Sequence, residues 1–236
     1  MTDAEQKIWD AAILFAQKNK KRIAKEVADS EKYPSETLPV SVFMSGSPGA
    51  GKTEASKNLI AQFASRGSST LRIDPDELRS YFDDYSGGNA ALFQGAVSIL
   101  VSAIHDQALK NSQSFIFDGT LSKYPLARQN IDRSLKRGRF VQVLYVYQDP
   151  AQAWEFVKER QRQEGRHIPK TEFIEQYFLA RQTVNQLKID LGSKIWVNLL
   201  VKNIDGTDQR YYRNIDLIDN HVKELYTRQT LDDVLK

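Results

Sequence analysis

The sequence predicts an α/β protein built on a doubly wound, mostly parallel five-stranded sheet with flanking helices and an N-terminal helical extension. Two observations carry that expectation. Short β-branched or aromatic runs alternate with longer segments of helical periodicity, the order that parallel strands joined by crossover helices require. The first of these runs also passes through a cluster of three glycines directly into a helical pattern, as turns that approach phosphates do.

Taken in order, residues 3–28 read as a helix, and residues 29–39, with two prolines and no periodicity, as a linker. Residues 1–39 are therefore expected to be a helix and linker packed on a body formed by residues 40–236. Strands are expected at 41–46, 69–74, 114–119, 140–147 and 194–201, where the residues are apolar, β-branched or aromatic. Helices are expected at 52–66, 90–111, 123–137, 150–163, 171–191 and 214–228. No internal repeat or low-complexity tract interrupts the pattern.

Composition excludes several classes of function. The 236 residues, 41% of them hydrophobic, can bury one good core. With no cysteine there is no disulfide framework, thiolate metal site or thiol nucleophile, which suits a reducing, cytoplasmic setting. Apolar stretches such as 11–16 are too short to span a bilayer, and acidic Asp3 and Glu5 stand where a signal peptide would be basic. A net charge of +3 is too small to argue for nucleic acid or a membrane surface. The basic clusters at 18–22 and 133–139 read as solvated helix faces.

The segment "GSPGAGKT", residues 46–53, fits the pattern G-x-x-x-x-G-K-[ST] in full and lies between a strand and a helix. Gly46, Gly49 and Gly51, with Ser47 and Ala50 between them, let the backbone curl so that its N–H groups converge on phosphate oxygens. The helix that follows adds the positive end of its dipole. Lys52 is then placed to reach the β- and γ-phosphates and Thr53 to hold Mg²⁺. A chance match in a glycine-rich turn is the competing explanation, and the strand-to-helix context weighs against it.

The discriminating residues come from other strand ends. The stretch "RIDPDELR", residues 72–79, places Asp74 and Asp76 at the carboxyl edge of the sheet. One of these carboxylates can accept the proton of an acceptor hydroxyl in phosphoryl transfer. Both can equally cap the following helix, and the local sequence leaves the two readings open. Residues 158–170, rich in Lys and Arg and broken at Gly165, can close over phosphates as a lid or simply form a charged turn. His167 beside them reads as a surface residue. The loop 202–210 offers Asn203 and Asp205 as contacts to a nucleotide base, although an Asp-Gly turn needs no ligand.

Together, "GSPGAGKT", "IDPDELR", "FIFDGT" (115–120), Arg160 and Arg166 resemble the zeta toxin family of P-loop kinases, in order and spacing, over residues 43–169. The resemblance implies a P-loop kinase-like body at 40–236. It also implies transfer of a phosphoryl group from ATP or GTP, with Mg²⁺, to a sugar hydroxyl of a UDP-N-acetylsugar such as UDP-N-acetylglucosamine. On that resemblance Asp76 is the base, Arg160 and Arg166 clamp the phosphates, Thr120 touches the acceptor and Asp118 orients the metal. An antitoxin protein is the partner it implies. The family's acceptor-binding glutamate between the second and third strands has no counterpart in residues 85–111, where Asn89 or Gln94 would have to substitute. Two other classes are weighed against a small-molecule kinase. One is a kinase of another metabolite, nucleotide or nucleic-acid end, which would need a basic channel in the last case. The other is a nucleotide-dependent interaction module that transfers nothing.

Overall fold

The computed structural model describes residues 1–202 and 209–236. Six strands, β1 (Val40–Ser45), β2 (Leu71–Ile73), β3 (Phe115–Phe117), β4 (Phe140–Tyr147), β5 (Trp196–Lys202) and β6 (Gln209–Tyr212), form one sheet in the order β2-β3-β1-β4-β5-β6. The first five run parallel and β6 pairs antiparallel with β5. Crossover connections are supplied by α2 (Lys52–Ala64), α3 (Ala90–Lys110), α4 (Tyr124–Leu135) and the pair α5 (Pro150–Glu164) and α6 (Lys170–Leu191). Helices cover both faces, so β1 and β4 are buried over nearly their whole length, which accounts for their unbroken apolar sequence.

Register brings the chemistry to one edge. Phe43 of β1 lies opposite Phe117 of β3 and Val143 of β4, and Ile73 of β2 opposite Phe117. The residues that follow the strands, Gly46, Asp74 and Asp118, therefore leave the sheet at the same edge. The Asp118 N–H donates to the Ile73 carbonyl at 2.9 Å, extending the β2–β3 pairing one residue past the strands.

The N-terminal helix α1 (Asp3–Val27) starts in a capping box in which Thr2 Oγ1 accepts from the Glu5 N–H at 3.2 Å and Glu5 Oε2 from the Thr2 N–H at 2.6 Å. Its Ala12, Ala16, Ile23 and Ala24 join the same apolar cluster as Phe93, Leu100 and Ile104 of α3. Gly95 permits the close approach, since a Cβ there would stand 3.0 Å from Ile13 Cδ1. The stretch 29–39 has no regular structure but is fastened at the amino edge of the sheet. Glu36 accepts from the Ser68 and Ser114 hydroxyls at 2.5 Å each, and Gln113 donates to the carbonyls of Ala28 and Tyr33.

Two expectations fail at the C-terminal end. The sheet has six strands rather than five, because the aromatic pair Tyr211–Tyr212 runs back along β5. The helix expected at 214–228 does not form, although Ile215, Ile218, Val222 and Leu225 are spaced helically. Tertiary bonds claim its backbone instead: Ile215 N–H donates to the Val197 carbonyl at 2.8 Å, Asn214 N–H to Asn198 Oδ1 and Ile218 N–H to Asn185 Oδ1, each at 2.9 Å. Buried Arg181 holds the rest through Asp219, Glu224 and the Val222 carbonyl. Only a short 3₁₀ turn at Ile218–Asn220 and a late helix, α7 (Arg228–Val234), are left.

Candidate active site

The glycine loop leaves β1 at Gly46 and enters α2 at Lys52. Its glycines are required first by the protein's own packing. A Cβ on Gly46 (φ 137°) would lie 2.3 Å from the Val146 carbonyl oxygen, and one on Gly49 (φ 74°) 2.1 Å from that of Ala153 in α5. Gly51 (φ 82°) is the left-handed residue from which α2 starts. Ser47 and Ala50 are buried and fix the loop from beneath, and the Gly46 N–H and Ser45 hydroxyl both donate to the Thr120 carbonyl, at 3.4 and 3.0 Å. The loop is thus a rigid collar that presents the first-turn N–H groups of α2, which have no partner inside the helix.

Lys52 curls over this collar, its Nζ donating to the Gly46 carbonyl at 2.9 Å and the Ser47 carbonyl at 2.7 Å. Burial lowers its pKa to about 8, against the pull of Asp118 and Asp76 in the opposite direction. Thr53 is exposed on the first turn of α2. One turn on, Ser56 Oγ lies 2.9 Å from both the Thr53 carbonyl and Asp118 Oδ2.

Asp74 and Asp76 diverge, as Pro75 between them dictates. Asp74 Oδ1 accepts the Asp76 N–H at 2.8 Å and its Oδ2 meets Arg72 at 2.5 Å. Burial outweighs both contacts and raises the Asp74 pKa to about 6. Arg72 also reaches Asp118 Oδ2, at 2.7 Å from Nη2 and 3.1 Å from Nε, and forms an ion pair with Glu77. Asp76 turns the other way. Its Oδ2 accepts from Arg166 and, at 3.3 Å, from Arg160, while Oδ1 is paired with Arg79. Burial resists its ionisation, but Arg166, Arg79 and Arg160 prevail and hold the carboxyl below the usual aspartate range.

The lid is built on the helix expected at 150–163 and on the break expected at Gly165. Asp149 caps α5 through the N–H groups of Ala151 and Gln152, and the helix continues to Glu164, where Gly165 (φ 70°) reverses it. Arg160 thus sits on the last turns of α5 and Arg166 just beyond the turn, so both guanidinium groups come back to one carboxylate. The opposing loop closes against this turn at Gly87 (φ 79°), where a Cβ would lie 2.6 Å from the Glu164 carbonyl oxygen. His167 pairs only with Gln161 among the described contacts, as a surface residue would.

Of the expected residues, Lys52, Asp76, Arg160 and Arg166 converge, and Thr53 and Asp118 are linked through Ser56. Thr120 bonds through its carbonyl to the glycine loop and through its hydroxyl to Ser122 at 3.1 Å. An open cleft of about 680 Å³, lined by Ser122, Tyr124, Leu126, Leu179 and Thr183, begins two residues beyond it. Asn89 is spent on its own loop, through Ser86 and the Asp84 carbonyl, whereas Gln94 faces Arg79. Asn203 and Asp205 lie outside the described residues. Sequence reasoning missed Arg79, Arg72 and Gly87; the i,i+3 spacing of Asp76 and Arg79 across a turn was the one available signal.

Magnesium takes hard oxygen ligands and is commonly held by one or two protein groups plus phosphates and water. The Thr53 hydroxyl and the Asp118 carboxylate suit that habit, and among the described residues no group of three or more His, Cys, Asp or Glu side chains could hold a metal by itself.

Comparison with known proteins bears on the family and the fold. The zeta toxin family model matches residues 24–216. No curated protein matches the sequence. Among solved structures, the PezAT chromosomal toxin–antitoxin system of the human pathogen Streptococcus pneumoniae contains a chain that superposes with a TM-score of 0.62 at 14% identity, covering 100% of this chain and 88% of that one. A chain of the AvrRxo1-ORF1:-ORF2 complex with ATP gives a TM-score of 0.58 at 17% identity, over 88% of this chain and 64% of that one. A chain of the Pnkp1/Rnl/Hen1 RNA repair complex gives 0.52 at 17% identity, over 65% and 47%. At these identities the likeness is one of fold.

Proposed function

The chain belongs to the zeta toxin family, and from that premise we propose that it is a kinase transferring the γ-phosphoryl group of ATP or GTP to a hydroxyl of a UDP-N-acetylsugar, as the toxin of a toxin–antitoxin pair. The observation that carries the reading is the meeting of Arg160, Arg166 and Asp76 in front of a complete glycine loop. A loop that only binds nucleotide needs no carboxylate held ionised among arginines at its mouth. A transferase needs one, to orient the acceptor hydroxyl and take its proton late in the transfer.

The contacts support the following roles. The collar from Gly46 to Thr53 binds the phosphates through backbone N–H groups and Lys52. Arg160 and Arg166 are the mobile counter-charges, since each can exchange Asp76 for phosphate oxygens and so stabilise charge as it develops on the transferred group. Thr53 and Asp118 would hold magnesium, whose charge offsets that of the β- and γ-phosphates. Thr120 and the cleft beyond it flank the acceptor side. No helix among the described residues is long and apolar enough to cross a membrane. The cysteine-free chain suits the cytoplasm, where nucleotide sugars and an antitoxin partner would be met.

The test is to incubate the purified protein with Mg²⁺-ATP or Mg²⁺-GTP and a panel of nucleotide sugars, small hydroxyl-bearing metabolites and 5′-hydroxyl oligonucleotides, and to read which mass gains a phosphate. Phosphorylation of a UDP-N-acetylsugar is expected. Transfer to another member of the panel corrects the acceptor, and tight nucleotide binding with no transfer to any member overturns the kinase reading.

A further inference from the structure

The contacts of Asp76 are divided between its two oxygens. Oδ2 faces Arg160 and Arg166, which come from α5 and the turn after it. Oδ1 is paired with Arg79, three residues on in the 3₁₀ turn Glu77–Tyr81. Arg79 is only 4% exposed, an environment that tolerates a guanidinium only when it is paired. It is held from behind as well: Nη2 donates to Gln94 Oε1 of α3 at 3.2 Å, the group lies 6.0 Å from the centre of the Tyr85 ring, and the Arg79 N–H donates to the Asp76 carbonyl at 3.3 Å. Its Nε is buried without a hydrogen-bond partner, so the side chain gives up one bond to hold this fork.

We infer that Arg79 is the positioning residue of the base, holding Oδ1 of Asp76 against the protein interior, with Gln94 aligning its guanidinium, so that Oδ2 alone is presented to the lid and the acceptor. The inference rests on the kinase reading for its catalytic meaning. Its physical reason is that the lid arginines are shared. When phosphates draw Arg160 and Arg166 away, Asp76 loses both partners on Oδ2, and a carboxylate on a short loop after β2 would be free to rotate. Arg79 contacts Asp76 from its own turn, so it keeps that orientation whatever the lid does. Lysine could supply the charge but not a fork that spans Asp76 and Gln94 together.

The charged groups that bear on Asp76 are Arg79 on its own turn, Arg160 of α5, Arg166 beyond it, Lys52 of α2 and, with opposite sign, Asp74. Removing Arg79 therefore withdraws one of the charges that favour ionisation and leaves the others. In Arg79→Gln, turnover should fall about tenfold or more while nucleotide affinity holds within about twofold, since a misplaced base affects the transition state and not phosphate binding. The acidic limb of kcat/KM against pH should move to higher pH. The Asp76 carboxyl, followed by ¹³C NMR in aspartate-labelled protein and assigned through Asp76→Asn, should titrate at higher pH in the variant. Arg79→Lys should restore the titration and only part of the turnover, and it serves in place of Arg79→Gln should the latter not fold. Unmoved Asp76 titration and unchanged turnover, with only the melting temperature lowered, would make Arg79 structural and overturn the inference. Failure of the kinase reading looks different: the unsubstituted protein then transfers no phosphate, while the NMR titration still reports whether Arg79 governs Asp76.

Discussion

At Asp76 burial and three guanidinium groups act in opposite directions, and the guanidinium groups prevail. At Asp74, two residues away, burial wins over one arginine and one N–H. The difference predicts unequal consequences for two chemically identical substitutions. Asp76→Asn keeps the size and loses the basicity, so transfer should fall by about a hundredfold or more with nucleotide still bound. Asp74→Asn can still accept the Asp76 N–H and should lose far less. Parallel transfer assays and nucleotide titrations decide it, and a larger loss in Asp74→Asn would relocate the base. Lys52 offers a second test at this scale. Because its pKa is lowered to about 8, it sheds its proton as pH rises through that value, and magnesium-free nucleotide affinity should weaken over the same interval. Lys52→Ala should bind nucleotide poorly at every pH while melting near the unsubstituted temperature, since the lysine's bonds are to carbonyls of its own loop. Calorimetric titration across pH 7 to 10 checks both statements, and a flat profile would show that the ammonium is not what holds the phosphates.

The lid is a helix end, so its geometry depends on where α5 stops and on what it stops against. Arg160→Ala and Arg166→Ala should each lower turnover by roughly a hundredfold while changing ATP affinity far less, because their contacts strengthen as charge develops in transfer. If both change only the Michaelis constant for ATP, they bind the ground state and the lid assignment fails. Gly87→Ala tests the opposing surface without touching any charged group. The new Cβ meets the Glu164 carbonyl from a left-handed backbone, a strain of about 1–3 kcal/mol that the turn at Gly165 can relieve only by moving. Reduced turnover with intact nucleotide binding is expected, and unaltered kinetics would mean that this contact does not set the lid. These elements also show what the sequence could disclose. The glycine loop was legible because its residue types serve local backbone geometry, and Asp76, Arg160 and Arg166 because their spacing matches a known pattern. Gly87 was not, because its role is set by Glu164, far along the chain, and of Arg79 only the i,i+3 spacing to Asp76 showed, while Gln94, which aligns it, lies fifteen positions away and is brought near only by the folded chain. For the same reason the helical spacing of 214–228 misled: bonds to Val197, Asn198, Asn185 and Arg181 outweigh a local preference, and nothing in the segment itself announces those partners.

Across the whole molecule, the half of the sheet that carries Asp74 and Asp118 shares a core with α1, α3 and α4, and a histidine is buried beside it. His105 of α3 is fully buried among Phe43, Phe115 and Phe117, with ring centres 6.2, 4.9 and 5.5 Å away. Its Nδ1 lies 3.3 Å from Arg133 and its Nε2 has no hydrogen-bond partner. Burial first, then the charges of Arg133 and Arg139, lower its pKa to about 3. The sign of the linkage follows. Above pH 6.5 the ring is neutral in both folded and unfolded chains and has no effect on the pH dependence. Between pH 6.5 and about 3 the unfolded chain takes up a proton that the folded chain refuses, so stability is lost as pH falls, by on the order of 4 kcal/mol across the interval. Asp74 opposes this between its ordinary pKa and about 6, because there the folded chain holds a proton that the unfolded chain has released. The variant that isolates the histidine is therefore His105→Phe, which keeps an aromatic ring against the three phenylalanines and cannot titrate, while Arg133 keeps Asp106 and Asn130. Its melting temperature should fall much less than that of the unsubstituted protein between pH 7 and pH 4.5. Equal falls in the two proteins would show that acid unfolding begins elsewhere and that the buried imidazole does not limit the stability of the sheet that carries the site.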